Sequence, residues 1–167
     1  MSTKLEDRIK RFFRALNAKI ESSDKIIVEE YLDEHHQKVF FSMSLIDQRH
    51  SIDVAYTLLN SDKDYNDLTV RLALLHDIGK QVQRFYLLER VAVVILPRKK
   101  LKLNPYPYEK NLLKKAWQLK NFHPQYGSII AMENNFEPEL IEMIRCHHNI
   151  PPICKEVEDF QWADNLN

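Results

Sequence analysis

Glycine is almost missing from this chain, which has two in 167 residues, Gly79 and Gly127. Hairpin-rich folds need glycine in their turns, whereas helix interiors exclude it, so its scarcity argues against the first and for the second. Cysteine is as scarce. Cys146 and Cys154 form no CxxC pair and read as reduced, incidental thiols. Long apolar runs are absent, and the longest, VAVVIL from Val91 to Leu96, is far too short to cross a bilayer. The opening MSTKLEDRIKRFF is charged from its fourth residue and lacks an apolar core with a small-residue cleavage site, so no secretory signal is expected and the cytoplasm is the default location. A net charge of zero, from 24 basic and 24 acidic residues, points to no partner by bulk electrostatics.

The apolar content of 44% is ordinary for a soluble globular protein. A chain of this length is most simply one domain that buries roughly two thirds of its unfolded surface. The pattern predicts an all-α fold, with helices at about 4–21, 25–38, 43–59, 65–77, 82–95, 109–120, 123–134, 138–147 and 155–165. Asp64 or Asn66 is expected to cap the fourth of these, and Pro138 fits the first turn of its helix, where a missing N–H costs nothing. Charge is unevenly spread. From Arg90 to Lys120 there are nine basic residues against the single acid Glu109, and from Glu133 to Asp164 eight acids face Arg145 and Lys155. Three of the seven prolines fall in VAVVILPRKKLKLNPYPYEK, which marks that basic stretch as the irregular part of the chain.

The histidines are what remains to explain: 35, 36, 50, 76, 123, 147 and 148. In LTVRLALLHDIGK, Leu68, Leu72 and Leu75 share a helical face and His76 and Asp77 close the last turn. Neighbouring helical residues point about 100° apart, so both can reach one ion only where the backbone bends. Gly79 is expected to supply that bend by taking the left-handed conformation that ends a helix. Gly127 lies four residues after His123, on the same face, where it lets a helix or a ligand approach closely, and Pro124 is expected in the first turn of that helix. His147 ends the apolar-periodic LIEMIRCHHN, and Asp164 lies further on in FQWADNLN. Nitrogen and carboxylate donors without thiolates suit iron, manganese or zinc in a helix bundle. Taken singly, each of these residues is more often a solvated or capping group. His35 and His36, in the charged YLDEHHQK, are read that way and given no role, and Cys146 is read as a small packed residue.

Taken together, RHSIDVA, LHDIGK, HPQYG, IRCHH and WADNLN, in that order, resemble the HD domain superfamily of metal-dependent phosphohydrolases, and more narrowly its small stand-alone bacterial members of the HDIG type. The similarity runs from about 40 to 165, which implies an HD domain at 40–167 with a basic insert at about 90–120, preceded by a helical extension at 1–39. The resemblance implies that His50, His76, Asp77 and Asp164 form a core metal site. It also implies that His123 and His147 hold a second ion with Asp77 bridging, and His148 is a less certain ligand. Six such positions argue for two divalent ions, Fe or Mn and otherwise Mg, Ni or Zn, rather than one.

Such ions lower the pKa of bound water and offset phosphoryl charge, so hydrolysis of a phosphate ester or anhydride of a nucleotide or related small molecule is the expected reaction. Lys80 is the first candidate cation for phosphate, and Arg84, Arg49 and Arg145 are weaker ones. Asp53 is a candidate to orient His50, although a plain surface acid is the commoner reading. The segment after the paired histidines, HHNIPPICKEVEDF, departs from members that cleave cyclic dinucleotides. The alternatives are a nucleotide-sensing or anionic-surface-binding module on the same scaffold, in which the basic insert touches membrane or nucleic acid, and a di-iron oxygenase.

Overall fold

The computed structural model describes residues 18–84, 89–90, 93 and 103–167. Among these residues the protein is all-helical, with seven helices: α1 (Ser22–Tyr31), α2 (Glu34–Phe41), α3 (Leu45–Leu59), α4 (Asp67–Leu75), α5 (Leu112–Glu133), α6 (Pro138–Cys146) and α7 (Lys155–Leu166), with a 3-10 turn at Ile78–Val82 after α4. The predicted helix at 4–21 lies outside the described residues up to 17. So does most of 82–95, of which Glu89, Arg90 and Val93 are helical.

Local chemistry sets most boundaries. Ser44 caps α3 by accepting from the Asp47 N–H, Asn66 rather than Asp64 caps α4, and Pro138 occupies the first turn of α6. Two boundaries differ from the sequence reading. The helix expected at 25–38 is broken at Leu32 and restarted by Asp33, whose carboxylate accepts from the His35 and His36 N–H groups. The helices expected at 109–120 and 123–134 are one, because α5 runs straight through Pro124, which is therefore interior rather than in a first turn.

α4 is the centre of the packing. Val70, Leu72, Ala73, Leu74 and Leu75 are all fully buried, so this helix is covered on nearly every side, by α3, α6 and α7. Val28, Val39 and Phe40 from α1 and α2, with Leu32 between them, join the same core as Ile52, Leu58, Leu140, Ile144 and Phe160. Because α4 ends in this core, the next two residues of the chain are buried as well. His76 and Asp77 are 2% and 1% exposed.

Both glycines are explained by closeness, and neither has positive φ. A Cβ on Gly79 would stand 1.9 Å from the His123 carbonyl oxygen and 2.5 Å from the Gly127 nitrogen, while one on Gly127 would meet Ile144 Cγ2 at 2.9 Å. The expected left-handed stop at Gly79 is thus replaced by a 3-10 turn laid backbone to backbone on α5, and Gly127 admits α6 and that turn. His36 also differs from its expectation. It is buried, packed at a tilt against Phe136 with ring centroids 4.0 Å apart and within 3.2 Å of an Arg71 guanidinium nitrogen. Among the described residues no helix is long and apolar enough to cross a membrane.

Candidate metal centre

Five elements converge around the end of α4. His50 comes from the first half of α3, His76 from the C-terminus of α4, and Asp77 from the link to the 3-10 turn. His123 comes from the middle of α5, His147 and His148 from the C-terminus of α6, and Asp164 from the last turns of α7. His50 Nε2 lies 3.0 Å from Asp164 Oδ1. Asp77 stands between two groups, with Oδ2 at 3.4 Å from His76 Nε2 and Oδ1 at 3.3 Å from His123 Nε2. The donor atoms of His50, His76 and Asp164 fall within 4.8 Å of one another, and so do those of His123, His147 and His148. Each set is compact enough to hold one ion.

The backbone decides which ring nitrogens face inward. His76 Nδ1 is 2.9 Å from the Ala73 carbonyl, His147 Nδ1 is 2.7 Å from the Ile144 carbonyl, and His123 Nδ1 is 3.1 Å from the carbonyls of both Leu119 and Lys120. A carbonyl only accepts, so each Nδ1 carries a proton, and a ring that is neutral presents a bare Nε2. Burial drives the His123 ring down to about 3, and burial with neighbouring rings holds His147 well below the usual histidine range, so both are neutral at pH 7. Their Nε2 atoms nevertheless face each other at 3.2 Å. Two buried lone pairs at that distance, with an Asp77 oxygen beside them, have no proton to share and fit a cation.

Charge on the other side is consistent. Burial alone would raise the Asp77 carboxyl, but Lys80 and His76 hold it well below the carboxylate range, and Asp164 is lowered against burial chiefly by its hydrogen bond with His50. Burial disfavours a charged His76, yet Asp77 outweighs it and the ring is raised. Asp77 and Asp164 are therefore ionised and face the imidazoles.

The cations of the sequence reading separate. Lys80 Nζ donates to Asp77 Oδ2 and lies 4.0 Å from Asp47 Oδ1, at the centre itself. Arg49 turns away, donating to Asp24 and Asp53, so Asp53 holds Arg49 rather than orienting His50. Arg145 pairs with Glu142 on the surface, and Arg84 is exposed beyond the 3-10 turn. Two neighbours are not singled out by the sequence. Asp47, 3% exposed, takes both Arg90 guanidinium nitrogens at 2.7 and 2.6 Å. Gln161 donates to the His147 and Asn149 carbonyls at 2.8 and 2.9 Å, pinning the loop that carries His148. Their signal is spacing, since each lies three residues before a proposed ligand, on nearly the same helical face.

Residues 48–167 match the family model described as HD domain. The chain belongs to the HD domain family. The match covers every residue of the cluster, from His50 to Asp164. HD domains are metal-dependent phosphohydrolases that bind divalent metals, which is the chemistry the facing nitrogen lone pairs fit. No curated protein and no solved structure gives a match.

Proposed function

We propose that this HD domain is a phosphohydrolase with a two-ion centre, acting on a phosphate ester or anhydride of a nucleotide or related small molecule. In this reading His50, His76 and Asp164 hold one ion, and His123, His147 and His148 the other. Asp77, which lies beside both His76 and His123, would serve both. Such ions, when bound, supply a hydroxide at neutral pH and offset phosphoryl charge.

The observation that carries the reading is the 3.2 Å approach of two buried, bare Nε2 atoms beside the Asp77 carboxylate. A second supports the bridging role, since Asp77 is, among the described residues, the carboxylate within reach of both His76 and His123. The chain's other tasks are positioning and charge. Backbone carbonyls hold three rings with Nε2 inward, Gln161 fixes the His148 loop, and Lys80, between Asp77 and Asp47, is placed to bind a phosphate oxygen. Arg49, Arg84 and Arg145 are left out of the phosphate site. Asp47 and Arg90 pair with each other there, and among the described residues Lys80 is the candidate cation in contact with Asp77.

The test is metal analysis after reconstitution with Mn or Fe, then measurement of phosphate release from a panel of nucleotides, sugar phosphates and dinucleoside polyphosphates. Two ions per chain and phosphate release lost in His76→Ala are expected. Fully folded protein that takes up no metal would overturn the reading, and oxygen consumption in place of phosphate release would redirect it to an oxygenase.

A further inference from the structure

α5 contains a proline that its helix should reject. Pro124 lies thirteenth of 22 residues, is buried, and has nine helical residues after it. An interior proline is strongly unfavourable, because it has no N–H for the carbonyl four residues back and its ring crowds that oxygen. The carbonyl in question belongs to Lys120. In the structure it is taken by the His123 side chain, whose Nδ1 lies 3.1 Å away and is shared with the Leu119 carbonyl at the same distance.

We propose that Pro124 is a positioning residue for His123: by withholding a backbone N–H from the Lys120 carbonyl, it reserves that oxygen for His123 Nδ1 and so fixes the ring with Nε2 bare toward Asp77 and His147. Any other residue at 124 would bring an N–H into the helical ladder and compete for the Lys120 oxygen. The ring would then keep only the Leu119 carbonyl, which the His123 backbone N–H already uses in a regular helix. His147 and His76 need no such device, since each ends its helix and bonds the carbonyl three residues back, where the ladder has run out. His123 is the ligand candidate held in mid-helix with Nδ1 on carbonyls of its own helix, and the residue after it removes the competitor.

This inference rests on the proposed ligand role of His123, and the experiment separates the two. Pro124→Ala restores the N–H. The expected result is a pair of opposite shifts: a higher melting temperature, and a roughly 10- to 100-fold weaker second Mn site with the first unchanged, the range found for outer partners of metal ligands. In metal-free protein, 15N-labelled histidine spectra should show His123 as the Nδ1–H tautomer in wild type and as a mixture in the variant. Should the lost ring volume lower the melting temperature, Pro124→Val, which fills more of that volume and also restores the N–H, must give the same spectral change. An unchanged tautomer, or second-site affinity within about twofold of wild type, overturns the proposal. If His123→Ala still binds two ions, the ligand reading fails, and the tautomer measured without metal still decides the role of Pro124.

Discussion

Two buried histidine groups occur in this protein, and what faces their rings separates them. His36, on α2, packs at a tilt against Phe136, and its Nδ1 meets an Arg71 nitrogen that also serves Glu137 at 2.9 Å. His123 and His147, on α5 and α6, have their Nδ1 protons bonded to carbonyls and their Nε2 lone pairs turned on each other. The first group is completed by the protein and joins α2, α4 and the start of α6. In the proposed reading, the second is completed by a cation between its atoms. Burial alone does not distinguish them, since His36 is 6% and His123 3% exposed. The sign of the atoms around each ring does.

The strongest way to break that contrast is Asp77→Asn. The amide has nearly the same shape but lacks the charge, and its NH2 can donate to a bare Nε2, satisfying the cluster without metal. Loss of an outer partner costs roughly 10- to 100-fold, so losing the shared carboxylate should lower phosphate release by more than about 100-fold. Metal content should fall from two ions toward none with the helical circular dichroism intact. Wild-type metal content in this variant would show that Asp77 is not a ligand.

Gly79→Ala should have the next largest effect, on stability. Its Cβ would overlap the His123 carbonyl oxygen and the Gly127 nitrogen, both backbone atoms that no rotamer change can move aside. Overpacking of this kind costs about 3 kcal/mol, read from urea denaturation. The same displacement pushes His123 away from Asp77, so the second ion should be lost before the first. The equivalent change at Gly127 meets a movable Ile144 side chain first and should cost less.

Acid should also tell apart two histidines of the proposed centre itself. The folded pKa of His123, about 3, lies below the unfolded value of about 6.5, so between these the unfolded chain binds a proton that the folded chain does not. Its share of stability is intact above pH 6.5 and is lost as pH falls toward 3, amounting to about 2 kcal/mol at pH 5. His76 runs the other way. Its raised pKa gives stability that is present below about 6.5 and lost as pH rises through the folded value. The difference is therefore read between metal-free wild type and His123→Gln, which has no ring to titrate. From pH 7 to pH 5 the wild type should lose about 2 kcal/mol more than the variant. Equal losses would mean that the His123 ring is not held neutral.

The helical class and the order of the ligand candidates are legible because their signals are local. Sparse glycine, the caps Asn66 and Pro138, and a His-Asp pair closing an apolar run each act within a few residues. The features that mislead depend on contacts distant in sequence. Gly79 reads as a helix stop, although its reason lies in a carbonyl 44 positions on, at His123. Pro124 reads as a first-turn residue because an interior proline is locally unfavourable, and the side chain that accommodates it is not visible in propensities. Asp47 looks like any acid in a first turn until Arg90 closes over it. The Leu32–Asp33 break is the exception, since Asp33 before Glu34 is a local cap signal that the charged context obscures.

The smallest effect tests the other side of the contrast. His36→Leu removes the ring nitrogen beside Arg71 and keeps an apolar side chain against Phe136. Arg71 retains its two contacts with Glu137, so the guanidinium is not stranded, and the loss should be about 1.5 kcal/mol, the low end for a hydrogen bond to a charged group. Because α2 meets the core on the side of α4 that carries Arg71, whereas the proposed ligands gather at its C-terminus, metal stoichiometry and phosphate release should stay at wild-type values. Thermal denaturation and metal analysis of the same preparation check both halves. A stable variant with altered metal content would join the two histidine groups into one system, and the distinction drawn from their facing atoms would not stand.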